Sequence, residues 1–134
     1  MIYFDMDGVL VDFYKSASKI VAPTKSQFWK QVKKIGVDFW LNMDEIPETR
    51  SLVQEYIDKG EEVSVLSKLP YTDTGSAFLG KSLWLEKHYP GVFHTVILTK
   101  GFKGKFCKPG DVLYDDHEEN IDDWIKNGGI GNLY

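Results

Sequence analysis

The chain has 134 residues, a formal net charge of −4, 43% hydrophobic residues and a single cysteine. This length and composition predict one packed domain, residues 1–134, and exclude internal disulfides and a cysteine-based zinc site. The acidic balance argues against broad, non-specific nucleic-acid binding, which needs a basic face. Because no apolar run is long enough to cross a membrane and the chain starts on a strand-like segment, we expect a cytoplasmic protein without a signal peptide.

Short apolar segments rich in β-branched residues alternate with helical patterns along the chain. Strands that alternate with helices predict an α/β fold with a mainly parallel sheet and right-handed crossovers. The predicted strands are residues 1–5, 62–67, 93–98, 112–115 and 130–134, and the predicted helices are residues 25–34, 48–59, 76–88 and 118–127. Helical periodicity predicts inward-facing residues on the third helix, namely Phe78, Leu79, Leu83 and Trp84, and on the fourth, namely Ile121, Trp124 and Ile125.

Residues 14–46 interrupt this alternation, because they are too long for a simple loop in a compact domain. They contain one predicted helix and the aromatic residues Phe28, Trp29, Phe39 and Trp40. Taken singly, a large aromatic side chain is most often part of the buried hydrophobic core. Since the segment leaves the carboxyl end of the first strand, we interpret it as a small helical cap whose aromatic side chains form an apolar wall for a flat ligand.

The first strand ends in two carboxylates on alternate positions, Asp5 and Asp7, followed by Gly8. One interpretation is a strand that runs into an Asp-Gly turn. The other is a ligand site, because open α/β sheets bind ligands at the carboxyl ends of their strands. Two neighbouring carboxylates repel unless a cation or a proton lies between them, so the pattern also suits a metal and a nucleophilic carboxylate.

Polar residues also stand at the ends of other predicted strands. Ser67 ends the second strand, a lysine precedes the fourth, and Asp115 and Asp116 end the fourth. Singly, each has an ordinary role as a turn residue, a solvated lysine or a helix cap. Parallel strands would bring all of them to the same edge of the sheet as Asp5 and Asp7, and this joint order favours a site.

The order of these residues resembles the haloacid dehalogenase-like phosphatase superfamily. The segments Asp5–Asp12, Val65–Ser67 and Leu113–Asp116 resemble its first, second and fourth motifs. The third motif needs a lysine, for which Lys103, Lys105 and Lys108 compete. We choose Lys105, because its spacing to the fourth motif resembles that in the 5'-nucleotidase or deoxyribonucleotidase branch (pyrimidine, type C).

The same branch resembles the chain between Ser67 and Trp84, where a lysine at the start of a helix, here Lys81, helps to hold phosphate. Two residues depart from the branch. His117 follows the Asp pair where the branch often has arginine, and Lys68 stands where a small residue is more usual. Both departures bear on which substrate is bound more than on which reaction is catalysed.

The resemblance implies a Rossmann-like parallel sheet in the order 3-2-1-4-5, with helices on both faces. It implies that Asp5 attacks phosphorus and that Asp7 acts as general acid and base, with Lys105 as the third catalytic residue. The implied Mg²⁺ ligands are Asp5, Asp115, Asp116 and a backbone carbonyl, that of Met6 or that of Asp7. The implied substrate-binding residues are Ser67, Lys68, Lys81, Phe13 and Trp40.

The implied function is a Mg²⁺-dependent phosphomonoesterase that hydrolyses nucleoside or deoxynucleoside monophosphates through an aspartyl-phosphate. A second hypothesis keeps the site but changes the substrate to a nucleic-acid end, contacted by the lysines of residues 100–108, or to another small phosphate ester. A third is a non-catalytic module that binds phosphate or metal. We expect a small phosphate ester as partner, no membrane contact and, from the acidic charge, no nucleic acid.

Overall fold

Five parallel strands form one sheet in the computed structural model, which describes all 134 residues. The strands are β1 (Ile2–Phe4), β2 (Val63–Lys68), β3 (Val96–Thr99), β4 (Val112–Asp115) and β5 (Ile130–Leu133). Their order is β3-β2-β1-β4-β5, and every neighbouring pair is parallel, so all five carboxyl ends lie at one edge. The predicted α/β fold and the predicted strand order are therefore confirmed.

Six α-helices and one short 3₁₀ turn connect these strands. The helices are α1 (Phe13–Ser18), α2 (Lys25–Ile35), α3 (Val37–Leu41), α4 (Pro47–Asp58), α5 (Thr74–His88) and α6 (Glu118–Lys126), and the 3₁₀ turn is Lys103–Phe106. The four long helices agree with the predicted ones. The short helices α1 and α3 had no predicted counterpart, because one or two turns are too few to show a helical period. None of the helices is long and apolar enough to span a membrane.

The hydrophobic core lies on both faces of the sheet. On one face Phe4 packs in a cluster with Val53 of α4 and Trp84 of α5, and on the other Leu113 packs with Trp124 of α6. This division follows from the alternation of side chains along each strand. The two fully buried indoles each find a carbonyl acceptor: the Trp84 Nε1–H donates to the Met43 carbonyl (2.8 Å), and the Trp124 Nε1–H donates to the Asp111 carbonyl (2.9 Å).

The buried face of α5 differs from the prediction. Phe78, Leu79 and Leu83 are 53%, 48% and 41% exposed, whereas Ala77, Gly80, Lys81, Trp84 and Leu85 are buried. Apolar residues occur on nearly every side of this helix, so their spacing along the sequence does not predict which side is buried. The small residues instead face α3, because only they allow two helices to approach closely. Ile125 of α6, also predicted to face the core, is exposed as well.

Helices α1, α2 and α3 all come from the segment predicted as a cap. Their aromatic rings form a continuous stack, with Phe13 and Trp29 each near Trp40 at centroid distances of 6.1 and 6.3 Å. Helix α3 packs along α5. The function of this segment as a cap belongs to the proposal below.

Gly80 sets the distance between α3 and α5. A Cβ atom at this position would lie 2.5 Å from the Trp40 Cβ and 2.8 Å from the Val37 carbonyl oxygen. Neither contact can be relieved by a side-chain rotation, because both involve atoms fixed by the α3 backbone. Helix α3 therefore packs closely against α5 because there is no side chain at this one position.

We predict that Gly80→Ala lowers the free energy of unfolding by about 1–3 kcal/mol, the usual cost of overpacking, although alanine is the better helix former. Gly75→Ala in the same helix is the matched control, because nothing lies within 4 Å of its added Cβ. The control should be neutral or stabilising by up to about 1 kcal/mol. Urea unfolding of both variants tests this, and equal stability of the two would contradict the role given to Gly80.

Candidate active site

The chain turns sharply after β1 and fixes the two carboxylates of the first motif. The Met6 carbonyl accepts hydrogen bonds from the backbone N–H groups of Val9, Leu10 and Val11, at 3.0, 2.9 and 3.0 Å. The Met6 N–H in turn donates to Asp5 Oδ1 at 2.8 Å. The apolar side chains of this turn are buried, so the turn is anchored in the core while its carboxylates lie at the sheet edge.

Gly8 allows the loop after β4 to approach this turn. Its φ of +80° is the left-handed conformation that glycine adopts without strain, and a Cβ there would lie 2.1 Å from Asp116 Oδ2. The glycine of the first motif is thus required both by the backbone and by the neighbouring carboxylate. It brings the first and fourth motifs into contact.

Three carboxylates gather at this point. One oxygen each from Asp5, Asp115 and Asp116 lies within 4.8 Å of the others. The pairing of β1 with β4 explains the juxtaposition, because the Asp5 N–H donates to the Tyr114 carbonyl at 2.9 Å. Asp5 and Asp115 are buried, so their mutual repulsion is not relieved by water.

Lys103 lies between two of these carboxylates. Its fully buried Nζ is 3.0 Å from Asp5 Oδ1 and 2.6 Å from Asp115 Oδ2. Burial alone would lower the pKa of this ammonium, but the charges of Asp5 and Asp115 raise the pKa above its ordinary value. Lys103 therefore carries a positive charge that offsets both carboxylates.

The predicted choice of Lys105 disagrees with this geometry. Lys105 is exposed, and its Nζ lies 5.1 Å from the centroid of the Phe106 ring, away from the carboxylates. Both lysines belong to the 3₁₀ turn, where successive residues rotate by about 120°, so residues two apart point in different directions. The Gly104 N–H donates to Asp123 Oδ2 at 2.7 Å, which fixes the turn against α6 with Lys103 inward.

Asn120 is a site residue that the sequence analysis missed. Its Nδ2 donates to both carboxylate oxygens of Asp115, at 3.3 and 3.1 Å, and it is buried. The His117 N–H also donates to Asp115 Oδ1 at 2.9 Å. A signal was available, because Asn120 precedes the buried Trp124 by four residues and so lies on the same helix face.

Lys81 links the predicted phosphate-binding residues. Its buried Nζ donates to Asp7 Oδ2 at 3.1 Å, to Ser67 Oγ at 2.9 Å and to the Lys68 carbonyl at 2.9 Å. It also lies 5.2 Å from the ring centroid of Trp40. The structure therefore brings Asp7, Ser67 and Lys81 together, as the sequence predicts.

Asp7 differs electrostatically from an ordinary surface carboxylate. Burial raises its pKa, the charge of Asp5 raises it further, and the ammonium of Lys81 opposes both effects. Its Oδ1 is buried without a hydrogen-bond partner. This carboxyl is therefore easier to protonate than an ordinary surface carboxylate, and one of its oxygens has no partner within the protein.

A cavity of about 510 Å³ opens from Asp7 towards the aromatic segment. Phe13, Trp29 and Trp40 form its apolar wall, while Lys68 and His117 lie on its polar side. Both predicted aromatic binding residues, Phe13 and Trp40, line it. The arrangement offers a flat apolar surface beside a strongly charged end.

The donor atoms of the carboxylate cluster suit a hard divalent cation such as Mg²⁺, which takes oxygen ligands. Asp116 Oδ2 accepts a hydrogen bond from the Tyr14 hydroxyl at 2.7 Å, while its Oδ1 is buried without a partner. Of the two backbone carbonyls predicted as ligands, that of Met6 is already occupied by three N–H groups. That of Asp7 accepts no hydrogen bond. The available donors are therefore Asp5, Asp115, Asp116 and the Asp7 carbonyl.

Comparison with known proteins identifies the family. The sequence model described as "5' nucleotidase, deoxy (Pyrimidine), cytosolic type C protein" matches residues 18–130. The chain belongs to this family. The match starts after the first motif and includes Ser67, Lys81, Lys103 and the fourth motif. The predicted resemblance, to haloacid dehalogenase-like phosphatases and within them to this branch, is confirmed, and so is the predicted enzyme class.

Solved structures share the fold of this nucleotidase-family chain. A hydrolase from Streptococcus pneumoniae TIGR4 superposes with a TM-score of 0.60 at 11% identity, covering 99% of this chain and 91% of that one. The L-2-haloacid dehalogenase from Xanthobacter autotrophicus gives 0.60 at 11% identity, with 97% and 75% covered. A HAD-superfamily hydrolase from Ehrlichia chaffeensis gives 0.53 at 14% identity, with 97% and 84% covered. Among curated proteins, none matches this sequence.

We predict that Lys103→Met lowers the free energy of unfolding of the metal-free protein by about 3–5 kcal/mol, because it leaves two buried carboxylates without a counter-charge. Lys105→Met is the matched control and should change stability by less than about 0.5 kcal/mol, as at most exposed positions. Urea unfolding in the presence of a chelator measures both. A larger loss for Lys105→Met than for Lys103→Met would reverse our assignment of the two lysines.

Proposed function

We propose that this protein is a Mg²⁺-dependent phosphomonoesterase that hydrolyses nucleoside 5'-monophosphates, with pyrimidine deoxyribonucleotides as the first candidates. The family's name supports the substrate class. The observation that carries the proposal is the pair of neighbouring ion pairs that the first motif forms, Asp5 with Lys103 and Asp7 with Lys81. Asp7 lies at the charged end of the aromatic-walled cavity. We also expect the protein to act in the cytoplasm, the location in the family's name.

Asp5 is the proposed nucleophile. Its Oδ1 is held by the Met6 N–H and by Lys103, while Oδ2 has no hydrogen bond within the protein. Oδ2 attacks phosphorus, a new bond forms between phosphorus and this oxygen, and the bond to the nucleoside oxygen breaks. The neutral Asp7 carboxyl gives its proton to the departing oxygen, which leaves as an alcohol.

Water completes the reaction. The Asp7 carboxylate accepts a proton from water as the water oxygen attacks phosphorus of the aspartyl-phosphate. The bond between phosphorus and Asp5 breaks, which releases inorganic phosphate, restores the Asp5 carboxylate and leaves Asp7 protonated for the next cycle. The same residue thus acts as acid and then as base, and atoms and protons balance over the two steps.

Ser67 and Lys81 are proposed to hold the phosphoryl oxygens. The Lys81 ammonium already donates to Ser67 Oγ and to Asp7, so it lies between the phosphate position and the general acid. Phosphoryl transfer depends mainly on positioning and charge stabilisation, which two fixed groups supply without reorganisation. Lys103 replaces the predicted Lys105 in our proposal, and its role is to offset the negative charge beside it and to hold Asp5 in position.

Asp5, Asp115, Asp116 and the Asp7 carbonyl are the residues that would hold Mg²⁺. When bound, the cation would offset negative charge on the phosphoryl group. Asn120 and the His117 N–H hold Asp115, and the Tyr14 hydroxyl holds Asp116, so the carboxylates are oriented before any ligand arrives. Such supporting hydrogen bonds commonly decide metal affinity.

The aromatic segment is proposed to act as a cap that receives the nucleobase. Phe13 lines the cavity and is only partly buried, so one ring is available to the ligand. An aromatic ring stacks on the face of any base, so this wall favours nucleotides over small aliphatic esters without choosing a base. Lys68 and His117, the two residues that depart from the branch pattern, lie at the same cavity and are placed to contact the sugar or base.

Asp5→Asn should abolish turnover of nucleoside monophosphates, because an amide is not a usable nucleophile. Phosphate release from a panel of ribo- and deoxyribonucleoside monophosphates, with Mg²⁺ and with chelator, is the measurement. Asp122→Asn, an exposed carboxylate on α6, is the matched control and should keep full activity. Undiminished turnover in Asp5→Asn would rule out the covalent mechanism, and full activity in chelator would rule out the metal.

Phe13→Leu should raise KM for deoxynucleoside monophosphates about five- to tenfold, the value of roughly 1 kcal/mol of lost aromatic contact. It should leave KM for glycerol phosphate unchanged, since that ester has no ring. Phe93→Leu is the control, because Phe93 lines a different depression on the far side of α5. Equal effects of Phe13→Leu on both substrates would favour a general phosphatase over a nucleotidase.

A further inference from the structure

A second charged and aromatic surface lies beside the cavity, and apart from Lys68, which lines the cavity as well, the proposed mechanism gives its residues no role. It is formed by the end of β2 and the loop after it, residues 68–73, and by the end of β3 and the loop after it, residues 99–102. The two loops leave the sheet side by side, because Lys68 pairs with Thr99 and the Leu69 N–H donates to the Thr99 carbonyl at 2.8 Å. We call this surface the loop platform.

Two aromatic rings on the loop platform are almost fully exposed. Tyr71 is 82% exposed and Phe102 is 75% exposed. Neither ring packs against another aromatic side chain, in contrast to the stacked rings of the cap. Large exposed rings are costly to leave in water, so a pair of them next to a cavity points to a ligand.

Each exposed ring has a lysine beside it. The Lys100 Nζ lies 5.5 Å from the Tyr71 ring centroid, and the Lys68 Nζ lies 5.8 Å from that of Phe102. Lys105 belongs to the same surface, because its Nζ would be 2.7 Å from a Cβ on Gly101. None of these three ammoniums forms an ion pair with a carboxylate. The loop platform thus carries three unpaired positive charges on a chain of net charge −4.

The loop platform is continuous with the proposed phosphate site through Lys68. The Lys68 carbonyl accepts a hydrogen bond from Lys81, and its side chain lines the cavity and reaches Phe102. Exposed rings on which bases stack, with lysines that follow a phosphate backbone, are the combination by which proteins bind single-stranded nucleic acid. A ligand that offered only a second phosphate would contact the lysines, but it would have no base to stack on Tyr71 and Phe102.

We propose that the loop platform binds the nucleotides that follow the first in a single-stranded DNA segment, so that the protein accepts 5'-phosphorylated oligonucleotides as well as mononucleotides. This inference rests on the proposed function for the position of the terminal 5'-phosphate, which lies at Asp5. The reaction is the same: water replaces the 5'-oxygen on phosphorus, and the oligonucleotide leaves with a 5'-hydroxyl. The acidic net charge does not oppose this, because the contact is local.

The first test measures binding separately from catalysis. A 5'-hydroxyl octamer of deoxythymidine, labelled at its 3' end, carries no terminal phosphate and so is bound without turnover. Fluorescence anisotropy should show that it binds at least about tenfold more tightly than thymidine, which competes for the cavity alone. Polyglutamate of equal charge should compete poorly, and competition as strong as that of unlabelled octamer would overturn the proposal.

Variants of the loop platform give the residue-level test. Tyr71→Ser/Phe102→Ser should weaken octamer binding about tenfold or more, and Lys100→Ser should reduce the slope of log K against log salt by about 0.7. Ile125→Ser/Lys126→Ser, an exposed pair on α6, is the matched control and should bind as the unaltered protein does. Unchanged octamer binding in the ring variant would overturn the proposal.

Turnover separates this inference from the proposed function. The ring variant should keep kcat/KM for deoxythymidine 5'-monophosphate within about twofold while losing about tenfold in kcat/KM for the 5'-phosphorylated octamer. Mononucleotide turnover with no preference for the octamer would leave the proposed function intact and overturn this inference. Ring-dependent octamer binding without turnover of any phosphate would do the reverse: it would support the loop platform and refute the nucleotidase.

Discussion

Two buried carboxylates, Asp5 and Asp115, come from neighbouring strands and are held together by the single ammonium of Lys103. Without that ammonium, the carboxyl ends of β1 and β4 would bring like charges together in a region from which water is excluded. Ion pairs of Lys103 therefore join the 3₁₀ turn to β1 and β4, in addition to the packing of these elements against α6. The carboxylate of Asp115 is oriented further by hydrogen bonds from the Asn120 side chain and from the His117 N–H.

The same edge is divided into zones that differ in charge. The carboxylates around Asp5 are the acidic zone, in which oxygen donors suit a divalent cation. Lys81 and Ser67 form a cationic zone next to it, held there because Lys81 enters from a buried position on α5. The aromatic cavity follows, and the loop platform with Lys100 lies beyond. In the proposed function, the phosphate of a nucleotide lies in the cationic zone and its base lies in the aromatic cavity.

Small residues make these contacts possible. Gly8 lets Asp116 approach the first motif, and Gly80 lets α3 approach α5. In both places the neighbouring atoms occupy the space that a Cβ would need. The packing of α3 on α5 and the placement of the Asp116 carboxylate therefore depend on two positions without a side chain, and hydrophobic periodicity does not reveal such an effect.

The sequence by itself determined the alternation of strands and helices and the polar residues at the strand ends, Asp5, Ser67 and Asp115, because strand alternation is a local pattern along the chain. The strand order and the role of Lys81 followed from the resemblance to a known family. It did not determine which lysine faces Asp5, which side of α5 is buried, or that Asn120 supports Asp115. Lys103 and Lys105 are alike in sequence, and only the rotation of the 3₁₀ turn against α6 turns one inward. The loop platform also became visible only when two loops 30 residues apart left the sheet side by side. Contacts between distant segments decide these features, and no local period along the chain encodes them.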